Sequence, residues 1–484
     1  MSVRLNQPLA SNPNADELDM LAVLQGNILK SHGRKVTAHV FLHFDSAQVT
    51  AVRAFLRAFG TKLTPASVQL ANAAKIRTAR RAGKAAPTTP PFISCMVSAS
   101  GYAALGLGPS ATPTDSAFRD GLKSRGGALS DPSVKKWDAG YRGDIHAMVL
   151  IGGDPEKNKP AKSKQVDDAL ANLLNAISTG AIHVLGIERG RAYHNEHGDG
   201  IEHFGYVDGR SQPLLREDDI NAESAHSDGI VRWNPAFPIK QVLVKDPAVS
   251  TANAFGSYFV FRKLEQNVKG FKKAEEALGK KLQRLARQRG QQFDPELAGA
   301  MIVGRFEDGT PVLLQHAEGM HNPVPNDFDY SGDPDGLKCP FHAHIRKTNP
   351  RGDTARIFGV PLEEERAHIM ARRGITYGTR KLNRNGEFAD KPSKGVGLLF
   401  MAYQSDIENQ FEFTQRSWAN SEGFVKPDTG VDPVIGQGGT EKQTHRAGWG
   451  DADALTHQTR FADFVTMKGG EYFFAPSISF FEAL

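Results

Sequence analysis

The chain has 484 residues, with 59 basic against 54 acidic side chains, a net charge of +5 and 39% hydrophobic content. That length points to two domains or one large bilobal unit, and the even charge balance carries no signature of a nucleic-acid partner. Two cysteines, Cys95 and Cys339, exclude a disulfide framework or a cysteine-based zinc site; the lack of an N-terminal apolar region and of any run of about 18 apolar residues leads to the expectation of a soluble, cytoplasmic chain with no membrane partner, secretion by an earlier-cleaved signal staying open.

Val36, Ala38, Val40, Leu42 and Phe44 alternate, which predicts a half-buried strand over Lys35–Phe44. A helix over Gln48–Phe59 follows, then strands at Phe92–Ser98 and Ile145–Ile151. Val166, Leu170, Leu173, Leu174 and Ile177 fall at helical spacing, so Ser163–Ser178 reads as an amphipathic helix and Ile182–Ile187 as a strand. This β-α-β-β-α-β order fits a ferredoxin-like α+β unit. A Pro- and polar-rich passage near Asp218–Ile239 leads into a second half that repeats the pattern less cleanly. There the expected elements are a strand at Tyr258–Arg262, a charged helix at Leu264–Gln288 and a strand at Gly397–Ala402. A helix at Ser405–Trp418, with Ile407, Phe411 and Trp418 on one side, and a strand at Phe464–Ala475 complete it. The expected fold class is α+β in two lobes, residues 1–225 and 226–484. Segments 65–90, 108–140 and 425–460 read as long loops.

Two segments carry chemistry. His203–Pro213 contains a GxxDG pattern that sets Asp208 between Gly205 and Gly209. Glycines let backbone turn tightly and approach a ligand closely, although Asp-Gly is also an ordinary turn dipeptide. Cys339–Arg351 contains His342 and His344, followed by Arg346, Lys347 and Arg351. A ligating histidine beside arginines suits an anionic cofactor, because arginine holds carboxylates bidentately. In an extended segment both histidines point to one face, so spacing does not choose between them. Arg372 and Arg373 pose the same ambiguity. A third group, His194, Glu196, His197, Asp199 and His203, matches no standard zinc or facial-triad spacing.

Together the first two segments resemble the dye-decolorizing (DyP-type) haem peroxidases, in their long-chain subgroup. Further stretches agree: Leu24–Lys30, Ser257–Leu264, Val303–Pro311, Tyr403–Phe411 and Gly469–Ser477. The resemblance implies two ferredoxin-like lobes enclosing one haem b per chain, with His344 as the iron ligand and Arg351 on a propionate. It makes Asp208 the distal acid/base and Arg372 its cationic partner, with Arg373 facing outward. Leu398 and Phe400 would flank the distal face. Asp432 would be the carboxylate behind His344, with Asp406 and Asp463 as rivals. The implied activity is reduction of hydrogen peroxide while dyes, phenolic or other aromatic donors are oxidised in one-electron steps, by a monomer or homodimer. Trp418 is read either as core or as a surface electron relay. Two other readings stand beside this one. A haem-handling protein with little turnover would need His344 but not Asp208 or Arg372. A non-haem metal oxidoreductase would use the His194–His203 cluster.

Overall fold

Eight antiparallel strands close into a barrel in the computed structural model, which describes residues 2–157, 159–177, 180–384 and 387–484. In chain order they are β1 (Val36–Phe44), β2 (Phe92–Val97), β3 (Ala147–Gly153), β4 (Ile182–Arg191), β5 (Phe255–Gln266), β6 (Ile375–Tyr377), β7 (Gly397–Gln404) and β8 (Val465–Ala475). The first four lie in the spatial order β4-β1-β3-β2 and the last four in the order β8-β5-β7-β6. Each half therefore has its fourth strand beside its first and its third beside its second, the ferredoxin-like arrangement. The halves join edge to edge at two thin seams: Gly190 of β4 pairs with Tyr377 of β6, and Val97 of β2 with Phe474 of β8.

An eight-stranded barrel has an interior just wide enough for side chains, and this one is filled. Phe41 of β1 meets Phe261 of β5 edge-on at 4.9 Å, and Phe259 meets Tyr403 of β7 at 4.8 Å. Closure corrects the expected half-buried β1, which is buried along nearly its whole length. One of its faces looks into the barrel, and helix Lys164–Ala176 packs on β1 and β3 from outside. The expected end of that helix at Ser178 lies outside the described residues.

The 65–90 segment is not a loop throughout: Ala66–Arg81 is a helix. Only Ala66 and Gln69 of it are buried, so it shows almost no apolar stripe to read. The 108–140 segment holds short helical turns, and 425–460 holds a hairpin pairing Gln443–Arg446 with Thr456–Thr459. The passage between the halves holds a helix, Glu217–His226. The long charged helix starts at Val268, because β5 continues to Gln266. Ser405–Trp418 forms two π-helical segments, Ile407–Glu412 and Thr414–Ala419. Both cysteines are free and buried. Among the described residues no helix is long and apolar enough to cross a membrane.

Strand alternation places the site. On β7, Leu399 and Met401 belong to the barrel core, while Leu398 and Phe400 face the other side. Arg262, Leu264 and Gln266 of β5 line the same outer face, where a large cavity opens outside the barrel against the C-terminal half.

Candidate active site

Asp208, Arg372, His344, Arg351, Leu398 and Phe400 all line this one cavity, which encloses about 1770 Å³ of empty space, its open mouth included. Leu398 and Phe400 are only partly buried because their side chains form its wall, so they are not ordinary strand core.

On one side stands His344, the first residue of the short helix His344–Thr348. That helical start corrects the extended-segment argument: His342 and His344 do not share a face. His342 is buried against His445, with ring centroids 4.9 Å apart, away from the cavity. His344 Nδ1 lies 2.8 Å from Asp432 Oδ2, which leaves Nε2 as the nitrogen free to serve the cavity. Asp432 is fully buried, and its other oxygen accepts the amides of Val434 and Ile435 at 2.8 and 3.0 Å. Burial alone would push the imidazole pKa down. The charge of Asp432 and the hydrogen bond to it outweigh burial and hold it above its ordinary value. Burial likewise works against the Asp432 carboxylate, but His344 and the two amides keep its pKa below the usual range. The rivals are engaged elsewhere: Asp406 caps Asn409 and Asp463 pairs with Arg460. Lys347 donates to the carbonyls of Ser421, Phe424 and Gly430 at 2.6, 3.0 and 2.7 Å. Those bonds tie the histidine helix to the loop that leads to Asp432.

Asp208 and Arg372 line the same cavity. Asp208 Oδ1 lies 3.5 Å from Arg372 Nη1, and the side chains are 40% and 34% exposed. The turn that presents Asp208 needs its glycines: Gly205 and Gly209 have φ of +106° and +82°, and a Cβ on Gly205 would lie 2.9 Å from Glu307. Asp208 also accepts the Gly209 amide at 2.6 Å, so the turn-capping role and the cavity position coexist. Arg372 donates from Nη2 to Ser211 O at 2.9 Å and from its amide to Gln212 Oε1 at 3.0 Å. Arg373 points away from the cavity but not outward to solvent. It is buried and donates to the carbonyls of Asn27 and Ile28 at 2.9 and 3.0 Å.

The third wall is cationic. Arg351 has φ of +48°, a left-handed conformation rare for a side-chain-bearing residue. It donates to Asn326 O, Phe328 O, Asn326 Oδ1 and Ser211 Oγ at 2.6–3.0 Å, and none of its partners is a carboxylate. Burial pushes its pKa down to about 10.

Two cavity residues escaped the sequence reading. Glu202 accepts the amides of Phe204 and Tyr206 at 2.7 and 3.1 Å and the side-chain amide of Gln266, and burial pushes its pKa up to about 7. Arg305 is buried beside Arg351. Neither sits in a periodic pattern; Arg305 lies in the Val303–Pro311 stretch and Glu202 directly precedes His203. The His194–His203 group does not assemble: His203 bonds to Tyr377 O at 2.7 Å, and His197 stacks on His321. Among the described residues no cluster of three or more such groups is arranged to hold a metal ion. Trp418 is 2% exposed, which makes it core.

A closed α+β barrel whose cavity gathers a histidine–carboxylate pair and an aspartate–arginine pair fits a peroxidase-class protein, and comparison with known proteins agrees. Residues 23–184 match the DyP dimeric alpha+beta barrel domain, and residues 225–427 match the Dyp-type peroxidase C-terminal domain. The chain belongs to the DyP-type peroxidase family, a family of haem peroxidases. It is 44% identical over 492 residues to the multifunctional dye peroxidase DyP2 of Amycolatopsis sp., with all of both chains covered. The solved structure of DyP2 from Amycolatopsis sp. superposes with a TM-score of 0.89, at 42% identity over all of both chains. A dye-decolorizing peroxidase solved in complex with 2,6-dimethoxyphenol has a TM-score of 0.74 at 26% identity, covering 95% of this chain and 98% of that one.

Proposed function

We propose that this peroxidase holds one haem b per chain in the cavity and reduces hydrogen peroxide while oxidising dyes, phenols or other aromatic donors one electron at a time. The observation that carries the reading is the 2.8 Å contact of His344 Nδ1 with buried Asp432, in the cavity that the Asp208–Arg372 pair also lines. The donor set fits haem: an imidazole with one nitrogen committed to a carboxylate and the other free, apolar Leu398 and Phe400, and a buried guanidinium with no carboxylate hydrogen-bond partner among the described residues. His344 would bind the iron, Asp432 would make it more electron-donating, and Arg351 would hold a propionate. The multifunctional dye peroxidase and the phenol complex among the relatives support the donor class.

Bound haem supplies the iron that takes two oxidising equivalents from peroxide and passes them singly to donors. The chain's own residues handle protons and charge. Asp208 is placed to take a proton from one peroxide oxygen and return it to the other, so that water leaves. Arg372 is placed to stabilise the negative charge that develops as the proton departs. Leu398 and Phe400 give the cavity apolar wall, and a less polar surrounding strengthens the arginine's effect. The assembly is taken as a monomer or a homodimer. We also take residues 1–225 and 226–484 as the two lobes, the first bringing Asp208 and the second His344.

The test is an absorption spectrum of the purified, haem-titrated protein before and after peroxide. A Soret band that shifts with peroxide in wild type, and only slowly in Asp208→Asn and Arg372→Ala, is the expected result. A Soret band that peroxide leaves unchanged in wild type would favour haem handling without turnover and overturn the proposal.

A further inference from the structure

Two carboxylates carried on one hairpin, residues 200–208, line the cavity: Asp208 and Glu202. The arms of the hairpin are joined by the Ile201–Val207 bridge. Asp208 N also donates to Gly200 O at 2.9 Å, and Glu202 N to Tyr206 O at 3.1 Å. At the tip the Glu202 side chain folds back over its own loop. Its Oε2 accepts the amide of Phe204 at 2.7 Å and the side-chain amide of Gln266, and its Oε1 accepts the amide of Tyr206 at 3.1 Å. Its carbonyl accepts the amide of Gly205 at 3.0 Å.

Asp208 stands in a stretch with little stiffness of its own. Gly205 and Gly209 on either side of it are both left-handed, and glycine loses more conformational freedom on folding than any other residue. The turn is therefore held by its partners. Two of the three donors that converge on Glu202 come from the loop itself, and the third, Gln266, ends β5 in the other half of the chain. An ionised carboxylate has about four lone-pair sites and accepts all three, whereas a glutamine amide has one accepting oxygen and turns two N–H donors on its neighbours. Keeping the carboxylate there is costly. Glu202 has no ion pair among the described residues, burial pushes its pKa up to about 7, and the charge of Asp208 adds a smaller push the same way. A neutral side chain would avoid that cost but would leave backbone amides without an acceptor.

We propose that Glu202 is a positioning residue for Asp208: its carboxylate gathers the three donors that hold the glycine turn and so fixes where Asp208 enters the cavity. This rests on the proton-handling role of Asp208 given above and adds a residue that acts through it. Gln266 is the outer point of the same hold, so the barrel strand β5 and the hairpin together set the direction of the Asp208 side chain.

The experiment mixes full-length holoprotein with hydrogen peroxide and follows the Soret band by stopped flow, for wild type, Glu202→Gln, Asp208→Asn and the double variant. The later step, in which a phenolic donor returns the band to its resting position, is timed separately, and haem affinity is read by Soret titration. Glu202→Gln should slow the peroxide step by about 10–100-fold, as expected when a reacting group is misplaced by about an ångström, and should leave the donor step and haem affinity unchanged. In the Asp208→Asn background the same substitution should cost nothing further. Gln266→Met removes one donor and leaves the carboxylate in place; it should slow the same step, and it serves if Glu202→Gln does not retain haem. An equal fold-loss from Glu202→Gln with and without Asp208 overturns the positioning role. So does a peroxide step as fast as wild type in both Glu202→Gln and Gln266→Met while Asp208→Asn is slow. An Asp208→Asn chain that reacts with peroxide as fast as wild type overturns the role of Asp208 and this one with it.

Discussion

Asp208 and Arg372 come from the two halves of the chain and meet Oδ1 to Nη1 at 3.5 Å, although 164 residues separate them. One is presented by a glycine turn, the other by the short strand Ala371–Arg372 that pairs with β7. If they act as proposed, removing either should slow the reaction with peroxide by about 10²–10³-fold. Because they are in contact, the double variant Asp208→Asn/Arg372→Ala should lose less than the product of the single losses. Stopped-flow mixing of holoprotein with peroxide measures this. Losses that multiply fully would mean the two residues act independently.

In the proposed haem site Asp432 acts through His344, 2.8 Å away. Asp432→Asn keeps the shape but removes the charge that makes the imidazole a stronger donor, so the reduction potential of the bound haem should rise. Affinity or activity should fall by about 10–100-fold. Spectroelectrochemical titration is the check, and a potential equal to wild type would remove Asp432 from the proposed role.

Trp418 is packed, not displayed. Its ring stacks on Phe424 at 5.5 Å and meets His368 and Phe413 edge-on at 5.3 and 5.6 Å. Trp418→Ala should cost about 3–5 kcal/mol of stability, whereas Trp418→Phe should leave turnover of a bulky dye unchanged. Denaturant melts and dye assays test the two halves of this statement. A large loss of dye turnover in a well-folded Trp418→Phe protein would restore the relay idea.

His39 gives the barrel an acid sensitivity. It is fully buried, and burial, opposed by a backbone hydrogen bond with Glu188, pushes its pKa down from 6.5 to about 4. The unfolded chain takes up that proton near pH 6.5, while the folded chain resists until about 4. The stability His39 confers is therefore complete above pH 6.5 and is lost as pH falls toward 4. His39→Met should flatten the decline across that window, as measured by urea unfolding at several pH values. A wild-type-like slope in the variant would assign the acid sensitivity to other buried histidines.

Glu202 should act in the opposite sense. Burial raises its pKa to about 7, so the folded chain binds a proton that the unfolded chain releases near 4.5. Its contribution is present below pH 4.5 and is lost as pH rises through about 7. In the haem-free chain, Glu202→Gln should abolish that loss between pH 4.5 and 7. Equal slopes in wild type and variant would show that its three hydrogen-bond donors keep the carboxylate ionised.

Much of the fold was legible because strand alternation and helical spacing are local. β1, β2, helix Lys164–Ala176 and β8 fall close to where the pattern places them. The helix Ala66–Arg81 was hidden because it buries too little apolar surface to show a stripe. Arg373 was misdirected for a related reason: charge in a sequence reads as exposure, yet its guanidinium is satisfied inside by the carbonyls of Asn27 and Ile28.

The sequence by itself determined the local devices: the glycine turn at Asp208, the His344–Arg351 run with its neighbouring cations, and two ferredoxin-like strand patterns. Each depends on residue type over a dozen positions or on a short period. Only the tertiary structure decided that the patterns close into one barrel through single-pair seams, and that His344, not His342, faces the cavity. It also decided that Asp432, 88 residues along the chain from His344, lies behind it, and that Arg305 stands beside Arg351 with its Nη2 unpartnered among the described residues. Such pairings join residues far apart in the chain, where no spacing rule operates, and they are set by which buried polar groups the packed fold leaves to satisfy one another.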